Sequence, residues 1–191
     1  MVLFKFVFFI LLIAVNNLNA QVYRWNVKTL TDTAGQRIYH TDAIYDSISR
    51  LADTLIYPRP NKKELTKGRR ANAEKVKVTL IANIIATGME DDGDYHLVME
   101  DLKEAKTLIA EIPNPETETL RDFKNLQNDY EIARNEIDSL VGKPTSNVKP
   151  LHKKVKVSVT GFIFFDKRSH GNGHTLSGLE IHPIIKLKVL K

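Results

Sequence analysis

Cysteine occurs nowhere in the 191 residues. Its absence excludes disulfides, thiolate zinc sites, thiol nucleophiles and a lipid anchor attached through a leader cysteine. A packed core must therefore carry the fold, and a chain of this length can supply one. Tryptophan is reduced to one copy, Trp25. It is read as a docking anchor for its segment rather than a ligand platform. Neither sign of charge dominates: 28 Lys and Arg face 23 Asp and Glu, a net charge of +5. That excess allows a polyanion partner without demanding one. There is no Gly-x-Ser-x-Gly elbow or comparable nucleophile motif, no internal repeat and no low-complexity tract. The long apolar run, Phe6 to Val15, has ten residues, and a spanning helix needs about 20.

What is there begins with a leader. Met1 to Lys5 is a charged start, Phe6 to Val15 an apolar stretch, and Asn16 to Ala20 a polar end closing on a small residue. That three-part layout predicts a signal peptide over residues 1–20 and a secreted or periplasmic product. Leu18 departs from the small residue preferred three positions before the cut.

Residues 21–72 read as an approach segment. Ile44, Ile48, Leu51 and Leu55 recur at helical spacing, and Pro58 and Pro60 end that helix. Lys62 to Arg70 reads as a basic linker. Residues 73–191 carry strand signals. Lys75 to Leu80 alternates with period two and the run continues to Ile85. Tyr95 to Met99 and Thr107 to Ile112 follow, and Pro113 and Pro115 stop the third strand. A helix is predicted from Glu116 to Val141, with Leu120, Phe123, Leu126, Tyr130, Ala133, Ile137 and Leu140 in one stripe. Gly142 and Pro144 end it. Lys154 to Phe165 and Ile181 to Leu190 complete the set. The fold class is therefore mainly β with one inserted helix. The order β-β-β-α-β-β predicts a five-stranded OB-like barrel. Another α+β sheet with that order is the alternative.

Four segments carry a resemblance. They are Asp92-Gly-Asp-Tyr-His-Leu-Val-Met-Glu-Asp101, Ile109-Ala-Glu-Ile-Pro113, Val159-Thr-Gly-Phe-Ile-Phe-Phe-Asp166 and Ser177-Gly-Leu-Glu-Ile-His-Pro183. In this order they resemble an uncharacterised group of exported bacterial OB-fold-like domains. Ser177-Gly178 stands where that pattern has Asn-Gly, and Lys167 to His170 is more basic than the pattern. The resemblance implies the fold and export, and no activity.

Three constellations are candidates for function. In an OB barrel two loops flank the usual binding face. Here one concentrates Glu90, Asp91, Asp92 and Asp94; the other carries His170 and His174. If they share a rim, Asp91, Asp92, Asp94, His170 and His174 form a candidate site for a divalent metal such as zinc or calcium. The plain alternative is two solvated loops. The acidic loop also repels phosphate, and Lys167 and Arg168 alone oppose it, so nucleic acid is disfavoured. A second constellation is the lysine stripe Lys75, Lys77, Lys154, Lys156, Lys186 and Lys188. It is a candidate face for an anionic polymer, or simply a set of solubilising strand lysines. In the third, Glu180 and His182 are two apart on a strand and share a face. With His96 and Glu111 they form a structural pair or an acid–base set.

The expected function is a non-enzymatic exported binding or structural module of unknown ligand, with no required cofactor. The alternatives are a metal-dependent hydrolase using the loop histidines and carboxylates, and a polyanion-binding module.

Overall fold

A computed structural model describes residues 24–66, 70–166 and 173–190. His170, Lys167 and Arg168 lie outside the described residues, as does the predicted leader. Among the described residues the chain is mainly β, with six strands and a few helices.

The first stretch forms short elements: α1 (Trp25–Lys28), α2 (Thr33–Ile38), β1 (Ile44–Tyr45), α3 (Ile48–Leu51) and α4 (Lys62–Thr66). The helix expected across Ile44 to Leu55 is cut to α3. The reason is local: Ser47 Oγ accepts the Arg50 amide and caps α3, so the chain before it is extended. Ile48 and Leu51 are buried, whereas Ile44 is 50% exposed and Leu55 is 91% exposed. The expected basic linker is also more ordered than its composition implies. It contains α4 with Leu65 in the core, and Arg70 is buried against Asp32 at 2.8 Å.

The remaining elements are β2 (Lys77–Met89), β3 (Tyr95–Glu100), β4 (Thr107–Ile112), α5 (Lys124–Val141), β5 (Lys149–Phe165) and β6 (Leu179–Val189). Period-two alternation builds β2: Val78, Leu80, Ala82 and Ile84 are buried, while Ile81 between them is 44% exposed. The predicted long helix starts later than expected, because Glu118–Leu120 forms a 3-10 turn first. Leu126, Tyr130, Ala133 and Ile137 are the buried stripe of α5, and Leu140 is 38% exposed.

The strands form a ring. β2 pairs with β3, β3 with β4 and β5 with β6, all antiparallel, and β5 pairs back onto β2. The β4–β6 contact is parallel and has one register pair, Ala110↔Ile181. β1 adds in parallel to the outside of β2. Gly161 sits at a register shift between β5 and β6, where a Cβ would meet Ile181 Cγ2 and Pro183 O at 2.5 Å. Only glycine permits that approach.

The N-terminal segment is fastened across the outside of the ring by buried arginines. Arg24 pairs with Glu74 and donates to Phe165 O at 2.8 Å. Arg70 donates to Val27 O at 2.6 Å, and Tyr130 Oη donates to Thr29 O at 3.0 Å. No helix among the described residues is long and apolar enough to cross a membrane.

Candidate functional site

Strand phase brings the polar groups together. Tyr95, Leu97 and Met99 of β3 enter the ring core, as do Leu108, Ala110 and Ile112 of β4. Their alternates therefore face the other way. His96 lies directly opposite Glu111 in the β3–β4 ladder. The Ala110↔Ile181 contact sets Glu180 and His182 beside Glu111. Asp94 arrives from the turn before β3, fixed by accepting the Asn114 amide at 2.8 Å. From outside, α1 lowers Lys28 onto the same group.

The contacts divide into two overlapping halves. His96 Nδ1 lies 3.0 Å from Glu111 Oε1 and 2.9 Å from Glu90 Oε1. His182 Nε2 lies 3.2 Å from Asp94 Oδ2, and its Nδ1 lies 3.6 Å from Glu111 Oε2 and 3.9 Å from Glu180 Oε1. Lys28 Nζ stands 3.6 Å from Glu111 Oε2 and 3.7 Å from Asp92 Oδ2. Among the described residues, Glu90, His96 and Glu111 offer one ligand atom each within 4.8 Å of one another, and so do Asp94, Glu111 and His182. The second set is wholly buried.

Burial without partners marks the inner half. Asp94 Oδ2, Glu111 Oε2, Glu180 Oε1 and both ring nitrogens of His182 are buried with no hydrogen-bond partner. Buried polar atoms almost always make hydrogen bonds; among the described residues these five make none, their near contacts being the 3.2 Å approach of His182 Nε2 to Asp94 Oδ2 and the Lys28 ammonium 3.6 Å from Glu111 Oε2. Phe164 packs edge-on against the His182 ring at 5.7 Å and keeps that side apolar.

The charge states follow from the surroundings. Burial and the Lys28 charge push His182 down to about 3, so its imidazole is neutral. Burial raises Asp94 to about 6 against the opposing pull of Lys28. Burial also pushes Glu180 well above its ordinary value, reinforced by Glu111 and Asp166. At His96 burial works against the charge, yet the hydrogen bonds to Glu111 and Glu90 prevail and raise it to about 9. Burial likewise opposes the Lys28 charge, and the carboxylates of Glu111, Glu180, Asp94 and Asp92 outweigh it, so its pKa is raised.

Of the loop residues singled out in the sequence, Asp94 enters the inner half and Asp92 faces Lys28. Asp91 is exposed. His174 is exposed too; Glu90 is held below the usual carboxylate range first by the His96 hydrogen bond, against burial, with the His96 and Lys28 charges adding to it. Glu180, His182, His96 and Glu111 do come together. Lys28 was not legible as part of this group, because it lies far away in the chain on a segment that composition marks as an approach.

The lysine stripe divides. Lys77 is occupied, donating to Tyr39 O at 2.8 Å and Thr41 O at 2.9 Å. Lys154 pairs with Glu100. Lys75 belongs to the 3-10 turn before β2 and bonds Asn72 at 3.3 Å. Lys156, Lys186 and Lys188 are exposed; the last two lie opposite Thr160 and Ser158.

Comparisons with family models, with curated proteins and with solved structures return no match.

Proposed function

We propose that the protein is an exported OB-like module that binds a divalent transition-metal cation on the outer face of β3, β4 and β6. The OB-like reading draws support from the ring order β2-β3-β4-β6-β5 and from α5 lying between β4 and β5 in the chain. The β3–β4 face and the loops after β2 and β5 are those by which OB modules hold ligands. Export rests on the three-part leader and on the resemblance to exported domains.

The observation that carries the cation is His182. Its side chain is fully buried and neither ring nitrogen makes a formed hydrogen bond, although Nε2 lies 3.2 Å from Asp94 Oδ2; Asp94 Oδ2, Glu111 Oε2 and Glu180 Oε1 beside it are likewise without one. A neutral imidazole beside carboxylates is a zinc-type donor set. Asp94, Glu111 and His182 would be the ligands, with Glu180 beside them. His96 holds the second oxygen of Glu111, as outer-shell partners of metal ligands do. The nitrogen donor disfavours calcium, which takes oxygen ligands.

Metal analysis of the purified mature chain tests this. About one equivalent of zinc or a similar metal is expected, and chelation should lower the melting temperature by roughly 10 °C. Absence of metal after zinc loading, with an unmoved melting temperature, removes the proposal. A hydrolytic role is a second reading. It draws on Glu90, whose side chain is 46% exposed beside a nearly buried His96, so the cluster has an edge open to water. Zinc-dependent turnover of an activated phosphodiester would favour it; none would leave a binding module.

A further inference from the structure

A second site lies on a different side of the ring. Ile84 of β2 pairs with Val155 of β5, but Ala86 pairs with Pro150. Leu151 to Lys154 therefore bow outward opposite Ile85 alone. Irregularities of this kind re-aim side chains and recur beside functional sites. The bowed stretch forms one wall of a cleft of 660 Å³. The end of α5 and the loop after it form the other wall, through Leu140, Val141 and Pro144. That loop is tied to β2, with the Met89 amide donating to Thr145 O at 2.8 Å.

The volume falls in the ~300–1,000 Å³ range of small-ligand sites. The lining pairs aliphatic side chains with Lys143, Lys149 and Lys153, and includes no carboxylate among the described residues. All three lysines are exposed, so their charges are free to meet a ligand at the rim. Among the described residues the lining holds no Trp, Tyr or Phe and one imidazole, His152, so a sugar or a nucleobase would find one small ring to stack on, whereas the aliphatic side chains and the lysines outnumber it. A neutral oil would leave the ammonium groups unused. A hydrophilic polyanion would leave Leu140, Leu151 and Val155 uncovered.

We propose that this cleft binds a single-chain anionic amphiphile. Its acyl chain lies along Leu140, Leu151 and Val155, and its carboxylate meets Lys143 and Lys153. Burial of the chain supplies affinity in proportion to apolar area. The ammonium groups select the anionic head and set its direction. None of these residues belongs to the histidine–carboxylate cluster, so the two sites stand or fall separately.

The test uses the mature chain in chelator, so that a cation plays no part. A dansyl-labelled undecanoate serves as the fluorescent probe. Laurate should displace it at roughly tenfold lower concentration than dodecanol, and acetate should not displace it. Reversing the rim with Lys143→Glu and Lys153→Glu should weaken laurate about tenfold while leaving dodecanol unchanged. Leu151→Asp should weaken both. Circular dichroism and melting check its fold, and Leu140→Asp at an exposed helix position replaces it if it fails. Lys103→Glu, on the exposed turn between β3 and β4, should change nothing. The proposal is overturned if dodecanol competes as well as laurate, if the charge reversals leave laurate binding intact, or if acetate or heparin displaces the probe.

Discussion

The Lys28 ammonium stands among Asp92, Glu111, Glu180 and Asp94 as a cation supplied by the chain itself. Removing it leaves buried carboxylates facing one another. Lys28→Met should destabilise the metal-free protein by about 2–3 kcal/mol. It should also tighten zinc binding by about tenfold, because a competing positive charge is gone. Denaturant melts with and without zinc separate the two effects: the variant's deficit should shrink when zinc is added. A deficit that zinc leaves unchanged would assign Lys28 a packing role only. Asp101 shows the same balance with the sign of the charge reversed. Burial works against its charge, but the amides of Lys103, Ser49 and Glu104 hold its carboxyl below the ordinary 3.8. The folded pKa is depressed, so this stabilisation is present above pH 3.8 and disappears as the pH falls through the lower folded value. Asp101→Asn should be less stable than wild type near neutrality, and acid titration should bring the two curves together. At this scale the sequence revealed part of the cluster. Glu180 and His182 are two apart on a strand and share a face for that reason alone. Lys28 was invisible because α1 is placed by contacts to Glu74, Phe165, Arg70 and Tyr130, all distant in sequence.

Among the elements, β4 and β6 share the fewest register pairs of any neighbours in the ring, one against eight between β5 and β6. Glu111 lies on β4 and His182 on β6, with Asp94 before β3. A cation held by all three would cross-link β4 and β6, as structural metals do elsewhere. Hydrogen exchange should therefore accelerate on chelation at residues 108–112 and 179–183, with β2 and β5 little changed; uniform acceleration would contradict this. A second element-level expectation concerns Gly161→Ala. The added methyl meets Ile181 and the Pro183 carbonyl, and overpacking of this kind costs about 1–3 kcal/mol; urea denaturation reads it. Most strands were legible from period-two alternation, and α5 from its apolar stripe. The helix expected over Ile44 to Leu55 was not, because four apolar residues at helical spacing also fit a strand, a cap and a separate turn. The bow in β5 was equally hidden. Register against β2 decides it, and Leu151 to Lys154 carries no turn signal.

For the whole molecule, the N-terminal segment is more than an approach. Leu30, Ile48, Leu51 and Leu65 join the core cluster of the ring. The Arg24–Glu74 pair locks the segment in place while α1 covers the polar face. Breaking one partner of a buried pair costs about 3–5 kcal/mol. Glu74→Gln should lower stability by that order and, by loosening α1 with its competing Lys28 ammonium, tighten zinc binding in the same direction as Lys28→Met. Paired melts and zinc titrations would show it. An unchanged zinc affinity would mean that Lys28 keeps its place over the cluster without the Arg24–Glu74 pair. The central claim is that His182, Asp94 and Glu111 hold a cation, and it has a direct measurement. Crystals of residues 21–191 grown with one equivalent of zinc give an anomalous difference map at the zinc edge. The predicted result is one dominant peak between His182, Asp94 and Glu111, absent from His182→Ala crystals. Peaks confined to exposed side chains such as His152, with the buried cluster empty, would contradict it.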